Sequence, residues 1–144
     1  LKLNPLHDQI DGKRLIVVDD SIVRGNTQRA LVEMLREAGA AEVHVRISCP
    51  PIMWPCFYGI DFATRDELIA ATRDVDAVRR SIGADTLGYL SMDALVAATE
   101  QPEDELCRAC FTGEYPIPLS PEQNLGKNLL EGEPRLTRGR AGAR

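Results

Sequence analysis

The residues of this 144-residue sequence best suited to chemistry lie in one short segment. Two carboxylates, Asp19 and Asp20, follow directly on an apolar run, and a loop then leads into an amphipathic pattern. A helix that starts near Thr27 leaves unpaired backbone N–H groups and a partial positive charge at its N-terminus, which suits a phosphate. Gly25 lets the backbone approach that phosphate closely, and the hydroxyls of Ser21 and Thr27 can add hydrogen bonds.

The two carboxylates indicate a ligand that is more than a phosphate, because like charges repel. Carboxylates accept hydrogen bonds from a sugar diol, and Mg²⁺, which accompanies a diphosphate, prefers oxygen ligands. The segment therefore predicts a phosphorylated ribose that bears a diphosphate. The alternative for a bare Asp-Asp pair is a cap on a solvent-facing turn. A Walker A loop is excluded, because the sequence has no Gly-Lys-Ser/Thr.

The elements around this segment predict a βαβ unit. An apolar, β-branched run over 14–18 is typical of a strand buried on both faces, as in a parallel sheet. Apolar residues at helical spacing then predict a helix that Gly39 ends. Alternation over 43–47 predicts a second strand with one drier face. In an open α/β sheet, ligands bind outside the carboxyl ends of the strands, which is where the two carboxylates fall.

The rest of the chain predicts shorter elements. A Pro- and aromatic-rich stretch at 50–59 is incompatible with a helix and predicts an ordered loop. Downstream we expect, in order, helices at about 65–72 and 74–82, a strand at 85–90, a helix over 92–99 capped by Ser91, and a loop over 100–116.

Four cysteines form a second candidate site: Cys49, Cys56, Cys107 and Cys110. No export signal accompanies them, so a secreted disulfide scaffold is not predicted. On spacing alone the pair at 107–110 leaves three interpretations open, namely a metal or cluster site, a redox disulfide, or packing. Cys49 and Cys56 would complete a four-thiolate set for zinc or a [4Fe–4S] cluster.

The string 19–27, Asp-Asp-Ser-Ile-Val-Arg-Gly-Asn-Thr, resembles the motif with which phosphoribosyltransferases bind phosphoribosyl pyrophosphate (PRPP). It is most similar to the version in glutamine-dependent amidophosphoribosyltransferases. The segments 55–61 and 107–116 resemble the iron–sulfur subgroup of that family, and 82–87 also matches. The resemblance extends from about residue 1 to about residue 118.

The resemblance implies a fold and a set of site residues. The fold is α/β, the parallel-sheet type I phosphoribosyltransferase fold, with its C-terminal portion at 1–99 and a Cys-containing extension at 100–119. Beyond these, the Gly-, Pro- and Arg-rich composition of 120–144 predicts a disordered tail. The implied PRPP-binding residues are Asp19, Asp20, Ser21, Ile22, Val23, Arg24, Gly25, Asn26 and Thr27, of which Asp19 and Asp20 contact the ribose and its Mg²⁺. The implied ligands of a [4Fe–4S] cluster are Cys56, Cys107 and Cys110, with the fourth upstream of this sequence. Cys49 matches no ligand position, and the alternative is that it replaces the missing fourth ligand.

The resemblance also implies an activity. In this family ammonia released from glutamine attacks C1 of PRPP and gives 5-phosphoribosylamine, the first committed step of purine biosynthesis. It further implies a homo-oligomer inhibited by purine nucleotides. The glutaminase domain, the diphosphate loop and the lid have no counterpart in this sequence. We therefore expect a C-terminal fragment that has little or no activity by itself.

No catalytic residue is assigned, because ammonia is the nucleophile and needs no obvious general base. His44 is expected to be simply exposed on the polar face of its strand. Two other functions share the phosphate loop. One is a salvage phosphoribosyltransferase that uses a nucleobase, and the other is a non-catalytic regulator that binds PRPP.

Charge and hydropathy limit the classes of partner that the sequence can be expected to bind. The net charge is −5, but residues 135–144 hold four Arg and no acid, so the remainder carries −9. Such an acidic body argues against a nucleic-acid surface. No stretch approaches the ~20 apolar residues of a membrane helix, and no signal peptide is visible. We expect a cytoplasmic protein without nucleic-acid or membrane partners.

Overall fold

Three parallel strands form one sheet in the computed structural model, which describes residues 5–59 and 64–118. The strands are β1 (Arg14–Asp19), β2 (Glu42–Ile47) and β3 (Thr86–Tyr89), and their spatial order follows the chain. Val45 lies at the centre of the register, paired with Val17 on one side and Leu87 on the other. The predicted α/β fold with a parallel sheet is confirmed.

Helices connect and flank these strands. Within the described ranges they are α1 (His7–Ile10), α2 (Asn26–Glu37), α3 (Ile69–Thr72), α4 (Val75–Ile82), α5 (Met92–Thr99) and α6 (Ala109–Thr112), with 3₁₀ turns at Arg65–Glu67 and Glu103–Glu105. Helix α2 joins β1 to β2, as its amphipathic pattern predicts, and the chain leaves it through Ala38 and Gly39. This is the predicted βαβ unit.

The core lies between one face of the sheet and helices α2 and α4. Its buried side chains include Val43, Val45 and Ile47 of β2, Val32 and Leu35 of α2, and Val78 and Ile82 of α4. Full burial of side chains of this size is worth roughly 1.5–3 kcal/mol each. This packing of α2 and α4 on the sheet holds the carboxyl ends of the strands in place, and the candidate site lies at these ends.

Strand β1 is less buried than its apolar sequence predicts. Ile16 and Val18 are each 71% exposed, whereas Leu15 and Val17 point toward the core and are half-buried. Helices α2 and α4 cover one face of the sheet, and in the described part of the chain no layer covers these two side chains on the other. The prediction of a strand buried on both faces is therefore wrong for this chain, since burial depends on neighbouring layers and not on the strand's own sequence.

His44 differs from its prediction in a similar way. Its side chain is only 16% exposed, because the ring lies between polar neighbours on the open face of the sheet. Nδ1 lies 2.9 Å from the Thr86 hydroxyl, and Nε2 lies 2.8 Å from the Glu42 carboxylate. Arg14 donates to the same carboxylate at 2.8 Å. His44 is thus part of a bonded network that links the three strands, far from the carboxyl edge.

The short elements were predicted with mixed success. Helix α5 runs over 92–99 as expected, and the Ser91 hydroxyl accepts a hydrogen bond from the Ala94 N–H at 3.2 Å. The predicted helix at 65–72 is broken, because the fully buried Leu68 is extended (φ −75°, ψ 109°) and separates the 3₁₀ turn from α3. The predicted loop over 100–116 contains the short helix α6.

Several predictions fall outside the described residues, including the tail at 120–144 and residues 60 and 61 of the segment 55–61. The domain boundaries stay predictions. In the described ranges, no helix has the length and apolar character needed to cross a bilayer.

Candidate functional site

The loop between β1 and α2 lines a cavity of about 390 Å³. It begins at Asp19, the last residue of β1, and ends at Gly25, the N-cap of α2. Because the strands are parallel, the loop lies at the carboxyl edge of the sheet, where open α/β sheets bind ligands. The lining residues are Asp19, Asp20, Ser21, Val23, Arg24, Gly25, Asn26, Thr27 and Gln28.

Eight of the nine predicted loop residues therefore line one cavity. Ile22 is the exception, since its side chain is fully buried in the main core and anchors the loop from below. Gln28 lines the cavity although the sequence analysis did not select it. The binding roles of all these residues stay predictions, and the structure gives their placement.

The two carboxylates are held by donors from their own loop. The Asp20 N–H donates to Asp19 Oδ1 at 3.0 Å, and the Ser21 hydroxyl donates to Asp20 Oδ2 at 2.9 Å. The bond from Ser21 is the main reason why the pKa of Asp20 lies below its usual value, and Asp19 adds to the effect. Asp20 is thus charged at neutral pH, as a ligand for Mg²⁺ must be. The Ser21 hydroxyl has one proton, so it must rotate away from Asp20 to donate to a phosphate.

The N-terminus of α2 faces the same loop. Gly25 adopts the left-handed conformation (φ +79°), and no side chain caps the helix. The first-turn N–H groups of an α-helix have no acceptor within the helix, and the dipole adds positive charge there. With 12 residues, α2 is long enough for that dipole to develop. This end of the cavity suits an anion, while the carboxylate end suits hydroxyls and a cation.

A segment that the sequence analysis did not assign to the site braces the loop from the other side. The Ile69 N–H donates to the Val23 carbonyl at 2.9 Å, and the Arg24 and Glu67 side chains pair at 3.4 Å. Arg24 is the main reason why the pKa of Glu67 lies below its usual value. Glu67 also forms a capping box with Thr64. The Thr-x-x-Glu spacing is the signal in the sequence that could have identified this brace.

The cysteines lie on a separate surface near the loop after β2. Cys107 is exposed, whereas Cys56 and Cys110 are half-buried. Burial raises the pKa of Cys110, and the nearby thiols of Cys56 and Cys107 raise it further. However, in residues 5–59 and 64–118 no three His, Cys, Asp or Glu side chains are placed to hold a metal ion together. The iron–sulfur assignment stays a prediction.

Backbone and aromatic contacts join the two cysteine segments. The N–H groups of Met53 and Trp54 both donate to the Cys110 carbonyl at 3.0 Å. The Tyr115 hydroxyl donates to the Pro55 carbonyl at 2.7 Å, and its ring lies 5.2 Å from that of Phe57. These contacts keep the segment around Cys56 next to that around Cys110, as a shared site requires.

Cys49 lies close to Cys110, and its omission from the predicted ligands stays a prediction. It packs between the main core and a smaller cluster that also contains Cys110. Burial is the main reason why the pKa of its thiol is raised to about 11, and the negative charge of Asp20 adds to the effect. Cys49 is therefore a protonated packing residue at neutral pH.

Comparison with known proteins shows close relatives over most of the chain, although no protein-family model matches it. The chain is 65% identical over 136 residues to an amidophosphoribosyltransferase of Mycobacterium bovis, a match that covers 91% of this chain and 26% of the relative. It is 54% identical over 119 residues to the amidophosphoribosyltransferase of Methanothermobacter thermautotrophicus, covering 83% and 25%. The chain thus spans about a quarter of the length of the relatives it matches.

Solved structures give the same result for the fold. The glutamine PRPP amidotransferase of B. subtilis, complexed with ADP and GMP, superposes with a TM-score of 0.75 at 52% identity. The match covers 81% of this chain and 26% of that one. The predicted type I phosphoribosyltransferase fold is confirmed, and so is the resemblance to amidophosphoribosyltransferases.

Proposed function

We propose that this chain supplies the PRPP-binding loop of an amidophosphoribosyltransferase, which transfers ammonia derived from glutamine to PRPP and gives 5-phosphoribosylamine. One observation carries the proposal: the carboxylates of Asp19 and Asp20 and the uncapped N-terminus of α2 line the same cavity. The identity of 65% and 54% to proteins named for this activity supports it.

Each end of the cavity has its own task. The 5′-phosphate lies against the first-turn N–H groups of α2, where the Thr27 hydroxyl adds a hydrogen bond. Asp19 and Asp20 accept hydrogen bonds from the ribose hydroxyls, and they hold Mg²⁺ directly or through water. A Mg²⁺ ion held there would supply positive charge to neutralise the departing diphosphate. The loop fixes the sugar so that C1 faces the ammonia, and this positioning lowers the barrier without a general base.

Arg24 is the cation of the loop that is best placed to reach a ligand. Its guanidinium is half-exposed and pairs with Glu67 at 3.4 Å, a long contact in water that is worth little. The pair keeps the side chain over the loop at low cost and releases it easily. Arg24 therefore turns from Glu67 to a phosphate oxygen when PRPP binds.

We propose also that the chain belongs to the iron–sulfur subgroup, with Cys56, Cys107 and Cys110 as three ligands of a [4Fe–4S] cluster. The resemblance of 55–61 and 107–116 to that subgroup supports the proposal, and so do the hydrogen bonds that hold the segments around Cys56 and Cys110 side by side. A bound cluster supplies a rigid link between the segments and takes no part in the transfer. Anaerobic reconstitution with iron and sulfide should give iron and sulfide in the protein and visible absorbance, both lost on Cys107→Ser.

Purine nucleotides are the proposed feedback inhibitors, and the working form is a homo-oligomer. The B. subtilis relative is complexed with ADP and GMP, which supports nucleotide regulation in this protein too. The protein is expected to act in the cytoplasm.

Calorimetry tests the proposed site. PRPP is titrated with Mg²⁺ into the 144-residue chain and into the longest polypeptide that its gene encodes. We expect saturable binding that Asp20→Asn weakens about 10-fold or more, because hydrogen bonds to charged groups are worth roughly 1.5–3 kcal/mol. Asp93→Asn is the matched control, since Asp93 is an exposed carboxylate in the first turn of α5 and far along the chain from the loop.

The outcomes separate the candidate functions. Absence of saturable binding to both polypeptides would refute the proposal. Binding followed by product formation from a nucleobase, and not from ammonia, would identify a salvage phosphoribosyltransferase. Binding to the longest polypeptide without turnover of either nucleophile would identify a regulator.

A further inference from the structure

Gln28, in the first turn of α2, is the one polar side chain in the described part of the chain that is buried. It is 7% exposed, and its amide nitrogen Nε2 makes two hydrogen bonds. Nε2 donates to Asp19 Oδ2 at 2.9 Å and to the Ser21 carbonyl at 3.0 Å. Burial of an amide is unfavourable unless such bonds form, and an apolar residue at this buried position would be buried at no such cost. The amide therefore has a role that an apolar side chain lacks.

The two bonds complete a set of contacts that fixes Asp19. Oδ2 is held by Gln28, and Oδ1 accepts from the Asp20 N–H at 3.0 Å. The Asp19 carbonyl accepts from both the N–H and the hydroxyl of Ser48, each at 3.0 Å. With its backbone and both oxygens engaged, the carboxylate is held in one orientation. Each oxygen keeps a lone pair for a further donor or a cation.

The chemistry of the contact requires a hydrogen-bond donor at this distance from the backbone. A carboxylate and a carbonyl both accept hydrogen bonds, so only the NH₂ end of the Gln28 amide can face them. Glutamate at position 28 would place an acceptor against Asp19 and replace attraction by repulsion. Methionine has a similar length but no donor, and it would leave Asp19 Oδ2 free to rotate.

We infer that Gln28 is a positioning residue for PRPP binding: it orients the Asp19 carboxylate toward the ribose and its Mg²⁺, and it holds the Ser21 turn through the same amide. The inference rests on the proposed function. Gln28 does not contact the reacting atoms, because its donors are used by the protein. It connects the helix that receives the phosphate to the carboxylate that receives the sugar, and so sets the distance between the two ends of the site.

Three variants of Gln28 test this inference in the longest polypeptide that the gene encodes. Gln28→Lys keeps a hydrogen-bond donor, Gln28→Met removes the donor, and Gln28→Glu puts an acceptor in its place. We measure the Kd for PRPP by calorimetry at saturating Mg²⁺ and the thermal midpoint of each variant. Glu33→Met is the matched control, because Glu33 is an exposed residue of the same helix.

A positioning role and a merely structural role predict different orders. If Gln28 orients Asp19, Gln28→Met weakens PRPP binding by about 10-fold, the value of one bond to a charged group. Gln28→Glu weakens binding more than Gln28→Met does, and Gln28→Lys less. A merely structural role predicts that the apolar Met is tolerated best and the buried Lys worst. Affinity and thermal midpoint should therefore rank Met and Lys in opposite orders.

The result that overturns the inference is a wild-type Kd, within two-fold, for Gln28→Met or Gln28→Glu. In that case the wild-type protein still binds PRPP and the proposed function stands. If the wild-type protein itself does not bind PRPP, the proposed function fails and this inference fails with it. Should one variant not fold, the affinity of either remaining variant against the Glu33→Met control decides.

Discussion

Replacement of Gly25 by alanine should destabilise the chain through two separate effects. Gly25 is the N-cap of α2 and has φ +79°, a conformation that costs an L-residue about 1–2 kcal/mol. A Cβ at this position would lie 3.0 Å from Ile69 Cδ1 and 3.5 Å from Ile82 Cγ2. Carbon atoms pack best at about 3.5–4.0 Å, so the contact with Ile69 is too close and that buried side chain must move.

The magnitude follows from adding the two effects. Overpacking of a core by one methyl group costs about 1–3 kcal/mol, and with the backbone term we expect about 2–5 kcal/mol for Gly25→Ala. Gly12→Ala is the matched control. Gly12 has φ +67°, but nothing lies within 4 Å of its added Cβ. It should therefore show the backbone cost alone, about 1–2 kcal/mol.

Urea unfolding followed by circular dichroism gives both free energies, and a double-mutant cycle isolates the contact. Ile69→Val removes Cδ1 and by itself costs about 0.5–1.5 kcal/mol. In the Ile69→Val background, Gly25→Ala should cost no more than Gly12→Ala does. The reasoning is refuted if Gly25→Ala and Gly12→Ala cost the same in the parent chain, or if Ile69→Val brings no relief.

Two further predictions concern titrating groups. The Val43 N–H, which donates at 2.6 Å, and the Arg36 guanidinium hold the pKa of Asp85 below its usual value. The carboxylate therefore stabilises the fold at neutral pH and loses this effect as the pH falls below about 4. Asp85→Asn should destabilise the chain by about 1 kcal/mol at pH 7 and flatten its acid unfolding curve, and an unchanged curve would contradict this. At pH 8, about one Cys49 thiol in a thousand is ionised if its pKa is about 11. Iodoacetamide should thus modify the exposed Cys107 long before Cys49, and mass spectrometry of digests should give that order.

The parts of the fold that depend on local pattern could be predicted from the sequence. The alternation of apolar residues over 43–47 corresponds to β2, and Ser91 marks the start of α5 to the residue. The loop 19–27 combines charge, glycine and helix-start signals that few other structures require together. Such features are local, because a strand's period, a cap and a turn are each determined by residues within a few positions of one another.

The errors arise where tertiary contacts decide. Leu68 interrupts a helical pattern because its side chain is fully buried, and packing overrides local propensity there. Gln28 reaches Asp19 across nine positions of the chain, a contact that depends on how α2 is rotated against the loop. The exposure of Ile16 depends on whether another layer of structure covers that face of the sheet, and the sequence of β1 does not determine this. A sequence indicates which residues can act, and the packing decides which of them meet.

The exposed flank of β1 has a practical consequence for the purified chain. Among residues 5–59 and 64–118 this strand is at the end of the three-stranded sheet, so its outer row of N–H and C=O groups can pair with a strand from another molecule. The exposed side chains of Ile16 and Val18 add an apolar surface along the same strand. The chain should therefore self-associate as its concentration rises, through backbone hydrogen bonds along β1. Asp19 of the candidate site is the last residue of this strand. Each PRPP titration should therefore be repeated at several protein concentrations and checked by light scattering. Association of molecules along β1 would place a second chain next to the loop and would change the measured affinity for PRPP.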